Sequence, residues 1–400
     1  MINNENTQKA ADTATKKITT RGPAQLLGAF FMLLKSSNNL LYLSILTTFL
    51  DKAGPGSLPW VYLLVNIVFI VVQFQLMTRI VGREGHWLLN IAVWPAAAIS
   101  FVVAVIYPVE TVPLLIGLLV TAMLSDLITN QAFSAMLNHF LSVSEARRVL
   151  PMIFAAGSFG FIISGLLLKF VIDFVGITGL LIGNGFVMLL SGLILLRLKP
   201  FEEARLAENA ETEKSAETRQ IGAAVEESSM QHPLARLLVA SSFLIIFNKY
   251  LVDFLFAASL SSYFTSRNDL AAFMGIFAAS TDLVVIGLQT FVMHRIFAAF
   301  PVGRVLAFMP MLLTGFCIIA AANLKFAVIA VVQFMVLLNS KNFTVPATTI
   351  LMGAVPQKNR VFYRRDMSIA CSISSAVVGV FLLLARDRIS YDALFFAAAT

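Results

Sequence analysis

A 400-residue chain that is 58% hydrophobic and only 13% charged, with a mean hydropathy of +0.84, is not built like a water-soluble domain, where about 25% of residues are charged. A bilayer accommodates that much apolar surface, and 34 Phe with 22 Gly suit close helix packing in lipid. The formal net charge of +7 is explained by loop arginines and gives no support for nucleic-acid binding, so the expected class is an all-α, polytopic membrane protein with the lipid bilayer as its first partner.

The chain opens on "MINNENTQKAADTATKKITTRG", which is polar and lacks the apolar core of a signal peptide. Residues 1–23 therefore read as a cytoplasmic tail carrying Lys16, Lys17 and Arg21. A crossing needs roughly 20 apolar residues. Runs of that kind cover 24–50, 58–81, 87–107, 112–141, 149–173, 176–197, 234–264, 270–298, 303–322, 325–353 and 361–385, and a twelfth begins near 390. Only about ten residues follow Tyr391, too few to span. Either the natural polypeptide continues or this last helix is a fragment. The one long polar stretch, 199–232, contains "EEARLAENAETEKSAETRQ" and reads as a cytoplasmic linker with some helix. It separates a first bundle, 24–198, from a second, 233–400.

Lys and Arg set the orientation. They gather in the tail, the 2–3 loop (Arg79, Arg83), the 4–5 loop (Arg147, Arg148), the linker, the 8–9 loop (Arg295, Arg304) and the 10–11 loop (Lys358, Arg360, Arg364, Arg365). These are alternate boundaries, and both termini are predicted to be cytoplasmic. The opposite loops are poor in basic residues, apart from Arg386 and Arg388.

The two halves align with each other. "QFQLMTRI" (73–80) falls on "QTFVMHRI" (289–296) at an offset of 216. Arg147-Arg148 falls on Arg364-Arg365 at 217, and Lys35 on Lys249 at 214. A parallel repeat of six plus six helices joined by a linker is the plan of major facilitator transporters, whose halves rock about a midplane site. In such a machine Arg79, Arg147, Arg148, Arg295, Arg364 and Arg365 are candidates for a cytoplasmic gate. Their planar forks pair with carboxylates and meet helix C-termini. The same residues also suit a role as topology anchors, or direct contact with an anionic substrate or with anionic lipid headgroups.

Ionisable groups inside spans are costly and mark cavities or partners. The first span carries Lys35, Asn38, Asn39 and Tyr42. The fourth carries Asp126, Asn130, Ser134 and Asn138 at four-residue spacing, a slowly rotating polar stripe. The seventh carries Asn248, Lys249 and Asp253, and the i,i+4 spacing of the last two predicts an ion pair. The eighth carries Asp282 and Gln289, and the tenth "NSKNFT" with Lys341. Lys35 and Lys341 lack a partner on their own helices. Because Asp126 aligns within one residue of Lys341 across the repeat, one reading pairs those two between the halves as a structural or gating bridge, and the other has these groups line the cavity and meet the substrate. Lys35, Asn39, Asp126, Asn130, Lys249, Asp282, Gln289 and Lys341 are the candidate substrate-binding residues. The lysines and aspartates balance. With only the amides of Asn38 and Asn39 nearby in sequence, Lys35 favours an anion. His139 and His294 sit near helix ends, as proton relays or as surface residues.

No phosphate-binding loop, nucleophile elbow or metal-ligand spacing is present, so neither an enzyme nor a cofactor or metal site is expected. Cys317 and Cys371 read as small buried hydrophobes.

The stretch "NQAFSAMLNHFLSVSEARRVLPMIFAAGSFGFIISG" (130–165), with Glu145, Ala146, Arg147, Arg148, Pro151, Gly157, Gly160 and Gly165, resembles the fourth and fifth helices of bacterial relatives of the ATP/ADP carrier family, in the major facilitator superfamily. "DLAAFMGIFAASTDLVVIGLQTFVMHRIFAAFPVGRVLAFMP" (269–310) is similar to that family too. The resemblance implies a twelve-helix fold, a bacterial inner membrane, alternating access, and a nucleotide or other organic anion as substrate. Some such relatives carry cytoplasmic C-terminal domains. A transport-inactive sensor or anchor for a regulatory domain beyond residue 400 is therefore the alternative expectation, with lipid translocation as a third.

Overall fold

The computed structural model describes residues 2–80, 85–109, 111–140, 143–217, 233–300, 304, 311, 313–319, 325–344 and 357–385. All regular structure among them is helical: α1 (Ile2–Lys52), α2 (Leu58–Ile80), α3 (Gly85–Ile106), α4 (Val112–Phe140), α5 (Val143–Glu217), α6 (Pro233–Tyr263), α7 (Arg267–Leu288), α8 (His294–Ala299), α9 (Phe326–Asn339) and α10 (Gln357–Ala385). Two π-helical turns, Gln289–Met293 and Ser340–Thr344, continue α7 and α9.

Among the described residues nine helices are long and apolar enough to cross a bilayer. One of them, Met152–Phe201, has 50 residues, about 75 Å of helix at 1.5 Å per residue. That length makes two crossings. The bend falls at Gly176, whose φ of 65° is left-handed backbone that only glycine adopts without strain. The expected break between the fifth and sixth spans lies there. Of the expected ninth span only 304, 311 and 313–319 are described, all helical, and the expected twelfth lies outside the described residues. Helix extends beyond the spans at two places. α1 starts at Ile2, inside the expected tail, and α5 runs to Glu217, well into the expected linker. Residues 218–232 lie outside the described set.

The halves meet along two crossings that the repeat relates. Where α5 crosses α7, a methyl group added to either Gly165 or Gly275 would fall on the carbonyl oxygen of the other. Where α10 crosses α2, a methyl on Gly379 would stand 3.0 Å from the carbonyl oxygen of Pro59. Gly379 follows Gly165 by 214 positions and Gly275 follows Pro59 by 216, so one crossing is the repeat of the other. Small residues permit this approach, and backbones in lipid associate by such contact. Polar contacts follow the same symmetry. Asn66 of α2 donates to Ser375 of α10 at 2.6 Å, and the Ser158 hydroxyl of α5 hydrogen-bonds to Asp282 of α7.

The apolar core is divided by depth. Toward the end that carries residues 53–57, 107–109 and 264–266, one cluster joins helices of both halves. It includes Ile45 and Phe49 of α1, Leu119 of α4, Leu251 and Leu260 of α6, Val332 of α9 and Leu382 of α10. Toward the other end the buried residues separate. One cluster, including Phe30, Leu89, Phe133 and Leu195, belongs to the first half alone. Another, Met293 and Phe343 with Ile296, belongs to the second half alone. Among the described residues the two halves thus share a core at one end and hold separate clusters at the other.

Candidate functional site

Charged side chains converge at the depth where the shared core ends. On α1, Lys35 lies between Leu34 of the first half's own core and Leu40 of the shared one. On α4, Asp126 lies between Ala122 and Ala132 in the same way. Lys35 donates to Asp126 at 3.1 Å. Asn38 supports the pair, donating to Asp126 at 3.2 Å and to the Thr129 hydroxyl at 2.8 Å. In the second half Lys341 donates to both oxygens of Asp282 at 2.8 Å. The Asp282 side chain is 1% exposed and that of Lys341 is 26% exposed.

The sequence-based pairing of Asp126 with Lys341 is therefore corrected. Each finds its partner within its own half, and Lys35 has a carboxylate rather than amides alone. Equivalent positions in a parallel repeat lie on opposite walls of the cleft. Alignment marks them as counterparts, not as neighbours.

What joins the two pairs is an aromatic ring. Phe161, on α5, lies 5.5 Å from Lys35 Nζ and 3.9 Å from Lys341 Nζ, measured to the ring centroid. Lys35 Nζ also lies 5.6 Å from the Phe31 ring centroid. An ammonium over an aromatic face is worth up to about 2 kcal/mol when desolvated. One ring thus holds a lysine from each half, and Lys35 acts electrostatically on both Lys341 and Asp282. Nothing in the sequence distinguished Phe161 among 34 phenylalanines.

A second polar layer lies on the fused side. Lys249 donates to Asp253 at 2.6 Å along α6, the pair expected from their spacing. Gln333 of α9 donates to the other Asp253 oxygen at 2.7 Å. Lys249 Nζ stands 4.8 Å from the Tyr250 ring, and Tyr250 meets Tyr62 of α2 edge-on at 4.9 Å. This layer ties the first half to the second beyond the Phe161 site.

The remaining candidates divide. Asn39 is buried and donates to Ser164 of α5 at 2.7 Å, inside the first half. Asn130 is half-buried on α4, one turn from Asp126. Gln289 reaches the Lys341 carbonyl with its Nε2 at 3.5 Å. Among the candidate gate residues, Arg295 is exposed. Arg365 pairs with its neighbour Asp366 at 2.9 Å. The side chains of Arg79, Arg147, Arg148 and Arg364 lie outside the described residues, as does that of His139. Among the described residues no group of three His, Cys, Asp or Glu side chains is placed to hold a metal ion.

No family model and no curated protein matches the sequence. Solved structures do match the fold. A POT family transporter in complex with a thioalcohol-conjugated peptide superposes with a TM-score of 0.61 at 9% identity, covering 93% of each chain. The nucleoside transporter NupG gives 0.59 at 12% identity, covering 94% of this chain and 96% of its own. The human organic anion transporter MFSD10 gives 0.60 at 14% identity, covering 95% and 97%. The chain has the major facilitator fold. It is a multi-pass membrane protein, and the Phe161 site lies between the two halves of that fold, where the cores divide.

Proposed function

We propose that the protein is a secondary transporter for an organic anion, working by alternating access. The observation that supports this most is the pair of lysines, one from each half, held over one ring. Each lysine already has one carboxylate partner. An entering carboxylate or phosphate competes with Asp126 for Lys35 and with Asp282 for Lys341. The substrate then replaces fixed carboxylates as the ligand of both ammoniums and draws the halves together through itself. When it leaves, the aspartates return, so neither lysine is stranded as an unpaired charge in the membrane. The Asp126 side chain is the most exposed member of the cluster, at 39%, and yields first. By the distribution of Lys and Arg the divided end faces the cytoplasm, and on this reading the arrangement is the inward-facing one. Nucleotides are one class of anion that fits, and the apolar ring of Phe161 beside two ammoniums suits a substrate with both an anionic and an apolar part.

Thermal stabilisation of the purified protein tests this, since a ligand that binds only the folded state raises the melting temperature. Nucleotides and other organic anions are compared with phospholipids. A rise with an organic anion, lost in Lys35→Ala and in Lys341→Ala together with its uptake into proteoliposomes, is the expected result. Stabilisation by phospholipids alone, with no anion effect, would turn the reading to lipid translocation or to a sensor.

A further inference from the structure

Below the Phe161 site, α7 and α9 each give way to a π-helical turn, and the two turns face each other. Gln289 of one reaches the Lys341 carbonyl of the other at 3.5 Å. Met293 of the first packs on Phe343 of the second. Leu288 and Asn339, each the last residue before a turn, line one small cavity that is otherwise apolar, with Leu313, Phe316, Met335 and Phe343. A π turn interrupts the regular i to i−4 ladder, and such turns concentrate at functional sites.

The amide side chains here have oxygens with nothing to bind. Gln289 Oε1, Asn339 Oδ1 and Asn342 Oδ1 are all buried without a hydrogen-bond partner, and Asn342, 0% exposed, lacks one at Nδ2 as well. Buried unpartnered polar atoms are uncommon in any protein. Within a bilayer there is no bulk water to satisfy them, so three such oxygens, two on the facing turns and one on the residue just before the second turn, call for a ligand. The Gln289 contact turns its amide nitrogen toward the Lys341 carbonyl, which leaves its oxygen directed elsewhere. The matching glutamine of the first half, Gln73, lies in an unbroken α-helix, so the double π turn belongs to the second half only.

We propose that these facing turns form a binding site for a sodium-sized monovalent cation, ligated by the amide oxygens of Gln289, Asn339 and Asn342. The donors are neutral oxygens, which suit a hard cation. The nearest carboxylate in sequence, Asp282, is committed to Lys341 through both oxygens and lies two turns before Gln289. With no carboxylate among its amide donors, the set lacks the charge that a divalent ion demands. A water in the ion's shell accepts from Asn342 Nδ2. Interrupted helices whose carbonyls hold a coupling ion are a recurrent device of transporters. The site adjoins the anion site, since Lys341 lies between Asn339 and Asn342 and Gln289 reaches its carbonyl, but its ligands are amide oxygens and not the ammoniums that the anion reading uses.

The test uses the full chain in detergent without any organic anion. Melting temperatures are compared in sodium, potassium and choline chloride at equal ionic strength. Sodium is expected to raise the melting temperature saturably by several degrees over choline, with potassium lying close to choline. Asn342→Leu removes the sodium-dependent rise, and Gln289→Glu lowers the sodium concentration at half-effect by about tenfold. Equal melting in sodium and choline overturns the proposal using the unmodified protein alone. So does an equal rise in potassium, or a sodium rise that survives both Asn342→Leu and Gln289→Leu. Because no anion is present, failure here leaves the transport reading untouched, and failure of the anion assay leaves this one untouched.

Discussion

The two central ion pairs differ in how much water reaches them, and this sets what each contributes at the level of single residues. Asp282 is sealed at 1% exposure, whereas Asp126 is 39% exposed. Removing the partner of a buried charge costs about 3–5 kcal/mol, because the remaining ion is left uncompensated. A half-exposed carboxylate turns to water instead, at a cost of about 1 kcal/mol or less. Lys341→Met is therefore expected to lower the melting temperature much more than Lys35→Met. Adding Asp282→Asn to Lys341→Met should restore most of the loss, since the stranded charge is gone. Melting curves of the three variants decide it, and equal losses for Lys35→Met and Lys341→Met would show that burial does not control the pairs. Only one ion pair inside the bundle was legible in the sequence. Lys249 and Asp253 are neighbours on one helix, and helix geometry alone brings them together. Lys35 and Asp126 are 91 residues apart, Lys341 and Asp282 59. Their pairing depends on how helices rotate about their axes, which composition does not reveal.

At the scale of elements, the fold depends on backbones that come close at two related crossings. Gly165 on α5 and Gly275 on α7 leave no room for a side chain between them. Gly165→Val is expected to wedge these helices apart and to cost about 1–3 kcal/mol, the usual range for overpacking. It should also uncouple Ser158 from Asp282, since both contacts belong to the same crossing. Gly117→Ala on α4 is the control, because nothing lies within 4 Å of the added methyl. That variant should melt at or slightly above the parent temperature, as alanine favours helix. A Gly165→Val protein that melted like the control would mean that the crossing does not hold the halves together. The helices themselves were readable from apolar run length, and the bend at Gly176 from the short gap between two runs. The π turns were not, since Gln289–Met293 and Ser340–Thr344 read as ordinary helix. Their departure from α-geometry arises where two helices meet, not from local propensity.

At the scale of the molecule, the described residues form one shared core at one end and two separate clusters at the other. On the proposed transport reading, rocking of the halves would exchange the ends, with the Lys35–Phe161–Lys341 layer as fulcrum at the level where the described cores divide. The described state then makes a directional prediction about access. Asn130 lies one turn from Asp126 on the divided side and is half-buried, whereas Val252 on α6 is 0% exposed within the shared core. Each is replaced by cysteine in a background in which Cys317 and Cys371 have been removed. A membrane-impermeant maleimide applied on the side of the N-terminus should modify Asn130→Cys, and a bound organic anion should slow that reaction at least several-fold. Applied from the opposite side it should leave Asn130→Cys unmodified, and Val252→Cys should resist from both. Labelling of Asn130→Cys from the far side alone would mean that the resting protein is open in the other direction. Labelling of Val252→Cys from the far side would show that the fused end opens in the cycle, which alternating access requires at some stage. Its rate relative to that of Asn130→Cys would then measure how far the equilibrium lies toward the described state.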